Sequence, residues 1–592
     1  MMASRHVVLA SFVTAAVAAD SSDKEAMIRA AIQNNRICWY LGYTWAATVG
    51  VLLIYRLWLV GVRYVRTLAC LGNDKQRYFT APDPTYAQLK RHIIDAPLIN
   101  KRHNRELRIS NAVSAGTIPG RLQMCYLIGY IAMNIVFCVF SIDWSGSSNE
   151  LATEVRNRTG VLAVMNMLPL FLLAGRNNPL ISMLDISFDT YNLIHRQIGR
   201  IVVCEALAHT LAWMVNKVNT AGWAVIGKSM AGSQLILTGT IATCALIFIL
   251  ILSPSPLRHA YYETFLHVHI ILAIVTLITV WIHLKTIPQQ STLIAVVAIW
   301  AAERFVRLTH IVRRNIGRGV TKAEVEALPG DALRVTLRIA RPWTFRPGQH
   351  VYLYMPSIGL WTSHPFSLAW SEEEQDINNE KGLPMDRIDV LAMQKSSMSL
   401  IIRRRTGFTD KLWKRAEKSP EGRFVSSAIV EGPYGGQNLE SYGHVMLFAA
   451  GVGITHAVPH VRELCAAFAN GTSATRHVVL VWIIQSPEHL EWIRPWMTSI
   501  LNMPQRREVL KILLFVTRPR STKEIHSPSS SVQMFPGKPD VGALIDQEQA
   551  RQVGTMAVSV CGTGSLGDDV RLAVRKRCEK TSIDLMEENF SW

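Results

Sequence analysis

Two apolar stretches of this chain each carry a pair of histidines at the same separation, and that repetition constrains the fold more than any other feature. His195 and His209 enclose Arg-Gln-Ile-Gly-Arg-Ile-Val-Val-Cys-Glu-Ala-Leu-Ala, and His269 and His283 enclose Ile-Ile-Leu-Ala-Ile-Val-Thr-Leu-Ile-Thr-Val-Trp-Ile. Each pair is 14 positions apart. At about 100° per residue, 14 steps fall within about 40° of four full turns, so both histidines share one helix face, roughly 21 Å apart along the axis. Two such helices side by side offer two imidazole pairs at two depths of a membrane, and paired imidazoles suit bis-axial haem ligation. A single histidine in an apolar helix is ordinarily a partnered core residue. Two helices with one spacing are harder to explain that way, because ionisable groups in a membrane are costly and mark function. His267 lies 16 residues before His283 and therefore faces away, as a non-ligand.

The chain has 592 residues, 49% of them hydrophobic, with the long apolar runs before residue 310. That describes a polytopic membrane protein joined to a soluble half. The net charge of +18 comes from basic residues between apolar runs, which argues for inside-loop charge rather than nucleic-acid binding. Nine cysteines, several within apolar runs (Cys125, Cys138, Cys204, Cys244), show no metal-ligand spacing and no disulfide framework.

Residues 1–19 have Arg5, an apolar run and small residues before Asp20, the pattern of a cleavable signal peptide. Seven spans are expected, at about 38–60, 122–142, 160–175, 195–215, 234–252, 260–284 and 291–309. The 61–121 connection is rich in Arg and Lys and is expected inside. The 143–159 connection is expected outside, with the sequon Asn157-Arg158-Thr159 open to glycosylation. This topology pairs His195 with His269 at the inner level and His209 with His283 at the outer. It leaves the C-terminal half in the cytoplasm.

The soluble half divides again. Residues 316–436 show short alternating runs and turns, predicting an antiparallel β-barrel. Residues 437–592 read strand, glycine turn, helix, strand, the doubly wound α/β pattern of nucleotide-binding domains. The expected domains are thus a signal at 1–19, a membrane domain at 20–315, the barrel and the α/β domain.

His364-Pro365-Phe366-Ser367 ends a predicted barrel strand. Gly451-Val452-Gly453-Ile454-Thr455 joins a strand to a helix that contains Pro459, and Cys561-Gly562-Thr563-Gly564 follows the last predicted strand. In this order, after histidine-bearing apolar helices, the motifs resemble the fungal ferric reductase transmembrane family, within the ferric reductase and NADPH oxidase superfamily. Gly175-Arg176-Asn177-Asn178, Ser187–Asn192, Glu431-Gly432-Pro433-Tyr434-Gly435 and the terminal Glu587–Trp592 also look like family signatures.

The resemblance implies a ferredoxin-reductase-like module for FAD and NADPH. Phe366 would stack on the flavin and Ser367 would bond near its reactive nitrogen. His364, Pro365 and the Gly407-Phe408-Thr409 turn would contact FAD, with Arg403 to Arg405 as nearby charge and Trp592 covering the flavin. Gly451 to Thr455 and Pro459 would bind NADPH, Cys561 and Gly562 would lie by the nicotinamide, and Arg518 is available for the 2′-phosphate. Trp482-Ile483-Ile484-Gln485 lacks the arginine that relatives often carry there, so NADH stays open.

The expected reaction carries electrons from cytoplasmic NADPH through FAD and two b-type haems to ferric, or cupric, chelates outside a plasma membrane, supporting iron uptake. A superoxide-forming NADPH oxidase is the alternative. Such oxidases typically shorten the second histidine spacing by one, whereas both spacings are equal here. A silent transporter or sensor of the same fold is a third reading, against which all the motifs count.

Overall fold

A computed structural model describes residues 21–108, 110, 114–317, 319–359, 362–375, 394–519, 527 and 529–588. The expected leader and Trp592 lie outside the described residues. Two compact units share the chain. One holds residues up to Trp58, Leu107–Gly116 and Gln123–Val306, and the other holds Leu59–Glu106, Thr117–Leu122 and Arg307–Trp592.

Seven long helices follow the hydropathy pattern: α1 (Ser21–Cys70), α2 (Arg121–Val139), α3 (Ser148–Ala174), α4 (Phe188–Ala221), α5 (Gln234–Leu252), α6 (Tyr262–His283) and α7 (Gln290–Asn315). Backbone groups in hydrocarbon must be satisfied within the helix, and polar side chains on it return to the same backbone. The hydroxyls of Thr238, Thr240 and Thr243 do so, each donating to a carbonyl four residues back. Inside the first unit the core is Leu162, Ile198, Val202, Leu293 and Val296, while Val51, Ile54 and Leu57 of α1 face outward, as lipid-facing residues do.

Helix α3 corrects one expectation. It begins a dozen residues before the expected span, because Ser147 and Glu150 form a capping box. The sequon at Asn157 is therefore helical rather than part of an outer loop. Thr159 is buried, and Arg158 is buried against the Phe137 and Phe140 carbonyls. That is a poor substrate for glycosylation, which needs accessible loop backbone.

Among the described residues, six helices meet the length and apolarity needed for a crossing, and α7 does not. Charge in its second half, from Glu303 onward, is the reason. Yet Glu303 does not face lipid: its carboxylate accepts from Asn177 at 3.3 Å and from Arg304 at 2.6 Å, with its side chain 10% exposed. Within the second unit, residues 59–106 pack with 307–588: Arg66 donates to Ser441 Oγ at 2.9 Å, Lys90 pairs with Asp584 at 2.6 Å and bonds the Ile583 carbonyl, and Lys101 pairs with Asp569 at 2.9 Å.

In the second unit, strands β1 (Lys322–Leu328), β2 (Ala332–Arg338), β3 (Gln349–Tyr354), β4 (His364–Ser367), β5 (Trp370–Gln375), β6 (Gln394–Arg403), β7 (Arg423–Ser427) and β8 (Ile429–Gly435) form the expected antiparallel domain. Their order is β5-β6-β2-β1-β7 in one sheet and β8-β3-β4 in the other. Val325, Leu333, Val335, Val351, Leu353, Leu400 and Val430 fill the space between them. Helix α8 (Phe408–Lys418) closes this core with Phe408 and Leu412.

The α/β domain is a six-stranded parallel sheet of β9 (His444–Ala450), β10 (His477–Ile484), β11 (Leu510–Val516), β12 (Val532–Pro536), β13 (Met556–Cys561) and β14 (Ile583–Glu588), ordered β12-β11-β10-β9-β13-β14. The four central strands β11, β10, β9 and β13 are buried on both faces and read as near-continuous apolar runs, as a parallel sheet requires, while the edge strands β12 and β14 are half-buried. Helix α9 (Ile454–Ala469) follows β9, and α10 (Gly564–Arg575) follows β13. The chain reverses direction across the sheet between β9 and β13, the switch point where such folds bind ligands.

Candidate redox sites

The bundle brings the four histidines together in the expected pairs. His195 and His269 have ring centroids 6.3 Å apart, and His209 and His283 6.1 Å. Two metal–imidazole bonds of about 2 Å, each with its ring centre about 1 Å behind the nitrogen, put centroids about 6 Å apart, so both gaps fit one metal between two imidazoles. The tautomers agree. His195 Nδ1 lies 2.8 Å from the Leu170 carbonyl, His209 Nδ1 2.8 Å from the Arg156 carbonyl, and His283 Nδ1 2.8 Å from the Leu235 carbonyl. A carbonyl can only accept, so Nδ1 carries the proton and Nε2 keeps its lone pair for a ligand bond. His269 Nδ1 has no such partner among the described residues. His267 turns outward as expected, its Nδ1 2.7 Å from the Glu263 carbonyl on its own helix.

Glycines make room for the outer pair. A Cβ on Gly160 would stand 2.6 Å from His209 Nδ1, and one on Gly239 2.7 Å from His283 Nδ1. Sequence reading passed over both glycines and the seating carbonyls. A signal was present: Arg156 and Leu170 are themselves 14 residues apart, so α3 repeats the spacing of α4.

In the barrel domain, β3 and β4 pair His350 with Ser367 and Val351 with Phe366. Alternation therefore turns Phe366 toward the barrel core, against which it packs half-buried, and turns Ser367 to the other face beside His350. Pro365 pairs with Tyr352 on that second face. His364 stacks on Phe408 with centroids 4.7 Å apart, so the two segments expected at FAD, His364–Ser367 and Gly407–Thr409, do meet. Gly407 adopts φ +84°, a conformation glycine takes freely, at the start of α8. Beside this turn lies a cavity of about 460 Å³ lined by Asp331, Arg404, Arg405, Thr406, Gly407 and Asp410. Arg404 is already committed: it pairs with Asp410 at 2.8 Å and Asp331 at 3.3 Å and covers the Trp413 ring. The Thr409 hydroxyl is also committed, to the Arg405 backbone. Arg403 and Arg405 are exposed.

At the switch point, Gly451–Gly453 form a single tight turn into α9, whose N-terminal amides suit an anion. A Cβ on Gly453 would collide with the Cys561 carbonyl, and one on Gly562 would reach 2.7 Å from Ala450 Cβ. The two motifs thus pack backbone on backbone. Trp482 Nε1 donates to the Gly451 carbonyl at 3.0 Å and holds the turn from the neighbouring strand. Ile454, Thr455 and Pro459 are buried, leaving Gly451 and Val452 as the part-exposed residues of the motif. Cys561 is buried, and burial, followed by the Glu588 carboxylate, pushes its thiol well above the ordinary range, so it is neutral at pH 7. Arg518 is exposed past the end of β11, its amide donating to the Gln485 carbonyl at 3.1 Å.

Three family models match the chain: ferric reductase like transmembrane component over residues 159–280, FAD-binding domain over 318–379, and ferric reductase NAD binding domain over 442–526. The chain is similar to the ferric reductase family. Ferric reductase transmembrane component 3 of Saccharomyces cerevisiae is 24% identical over 81% of this chain and 68% of its own length. Ferric/cupric reductase transmembrane component 2 of the same yeast is 23% identical, over 85% and 71%. A probable ferric reductase transmembrane component of Candida albicans is 24% identical, over 81% and 72%. The protein combines multi-pass membrane helices with FAD and NAD-binding domains, and its class of activity is NAD(P)H-dependent metal reduction.

Proposed function

We propose that the protein carries electrons from cytoplasmic NADPH across the plasma membrane to ferric chelates outside, with cupric ion as a further acceptor, in support of iron uptake. The observation that carries this reading is the pair of imidazole gaps of 6.3 and 6.1 Å, stacked at two depths of one bundle.

FAD supplies the division of a two-electron hydride into single electrons, and two b-type haems supply one-electron stations across about 30 Å of hydrocarbon. The residues do the rest. Gly451 to Thr455 bind the dinucleotide pyrophosphate through backbone amides, and Arg518 meets the 2′-phosphate that distinguishes NADPH. Cys561 and Gly562 line the nicotinamide side with a neutral, compact wall. His364, Phe408 and the Gly407 turn hold FAD, and Ser367 orients its reactive nitrogen. His195 and His269 hold the inner haem, and His209 and His283 the outer one, each through Nε2. The domains serving these steps are 20–315, 316–436 and 437–592. Residues 59–106, the part of the connection richest in Arg and Lys, pack in the nucleotide-binding body, which supports a cytoplasmic place for both.

The test is anaerobic reduction of a ferric chelate by the protein in liposomes supplied with NADPH and FAD. Reduction that disappears in His209→Leu supports the reading. No reduction without oxygen, with superoxide formed in its presence, would overturn it in favour of an oxidase.

A further inference from the structure

Between the two histidine levels the bundle holds a carboxyl group that the electron path leaves without a task. Glu205 lies on α4, ten residues past His195 and four before His209, about 15 Å and 6 Å away along the axis. It is 4% exposed. Its two oxygens stand 3.1 and 3.0 Å from Asn166 Nδ2 on α3. The same amide donates to Asn134 Oδ1 of α2 at 2.8 Å, while Asn166 Oδ1 accepts from the Tyr130 hydroxyl at 2.6 Å. Trp45 of α1 donates to that hydroxyl at 3.3 Å.

Every group around Glu205 is neutral. Helix α3 presents Asn166, and α2 presents Asn134, Tyr130 and Cys138, the last two within electrostatic reach. Helix α5 has no charged residue along its length. His209 lies one turn along α4, with His283 of α6 facing it. No lysine or arginine pairs with Glu205 among the described residues. A carboxylate with one neutral donor and no cation is costly inside a membrane, and positive charge nearby would offset that cost. A ferric haem between two neutral imidazoles carries one more positive charge than a ferrous one, and the outer pair is one helical turn away.

We propose that Glu205 is a redox-linked proton site of the outer haem, a role that rests on the haem reading above. Its carboxylate is the counter-charge to the ferric state and becomes a carboxylic acid in the ferrous state. On reduction, one electron arrives from the nucleotide side and one proton from water. When the electron leaves to the outer acceptor, the proton returns to water, so turnover consumes none.

The test is a spectroscopic redox titration of the purified full-length protein at several pH values, with no acceptor present. In wild type, the midpoint of one haem falls as pH rises. Glu205→Gln, which keeps the bond to Asn166 but cannot titrate, loses that slope with both haem spectra intact, and Glu205→Asp retains it. A slope that survives in Glu205→Gln overturns the proposal. Should that variant fold poorly, wild type still decides: reduction in weakly buffered solution takes up a proton per outer haem, and no uptake sinks the idea. Protein without haem absorbance refutes the haem reading itself, a distinct failure.

Discussion

In the membrane bundle the candidate site is built from side chains seated against backbone, whereas at the switch point of the α/β domain two glycine motifs pack backbone on backbone. Both rely on glycine, for opposite reasons. Gly160 and Gly239 leave space for an imidazole ring from another helix. Gly453, Gly562 and Gly564 let main chain lie on main chain, the last against Asn104 and Arg105 of the 59–106 segment. A bundle of regular helices has fixed backbone spacing, so a ligand must reach across on a side chain. A parallel sheet ends in loops whose own amides are free to bind. The two histidine levels differ too: both outer imidazoles are seated by a carbonyl and a glycine, whereas at the inner level, among the described residues, only His195 has a carbonyl.

The sharpest way to break this comparison is to fill the bundle's gaps. Gly160→Val or Gly239→Val should displace an outer imidazole, remove about half the haem absorbance and lower chelate reduction about 100-fold, while the inner haem stays. Haem content per chain checks it, and full haem content would refute the seating role. In the module, Gly453→Ala should raise KM for NADPH about tenfold by pushing the two nucleotide loops apart, with haem content unchanged. Val452→Ala, on the exposed side of the turn, should change KM little; equal effects would erase the distinction between backbone and side chain.

The body that holds the module should respond separately from the bundle. Lys90→Ala leaves the half-buried Asp584 without its closest cation, and should cost about 1 to 2 kcal/mol in denaturant unfolding of the soluble half, without altering haem spectra. The smallest effect concerns Cys561. Burial raises its thiol above the ordinary range, so the thiolate that reacts is scarce below that range and grows as pH rises. Alkylation of the native protein at pH 7 should leave Cys561 unmodified, while alkylation after denaturation labels it; mass mapping that finds it labelled in the native protein would show an open site.

Much of this was legible because periodicity survives translation into structure. The histidine spacing announced both the helix face and the pairing, and α5 and α6 form within two residues of the apolar runs that foretold them. The runs at 444–450, 478–484 and 556–561 became central parallel strands for the same reason: a strand buried on both faces has no polar alternation to hide. Boundaries were less legible where a cap overruled hydropathy, as Ser147 and Glu150 did for α3. Phe366 shows what a motif leaves open: strand alternation turns its half-buried ring toward the barrel core, a placement that spacing along the chain does not give.

The sequence by itself determined the two kinds of domain, the four histidines and the order of the nucleotide motifs, since spacing along one helix or strand is a local property of the backbone. Only the tertiary structure decided which carbonyls seat the imidazoles, that Glu205 lies in a neutral network of four helices, and that the 59–106 segment packs into the nucleotide-binding body. Each of these joins residues tens to hundreds of positions apart. Such contacts follow from how helices and sheets pack, which no local pattern in the chain encodes.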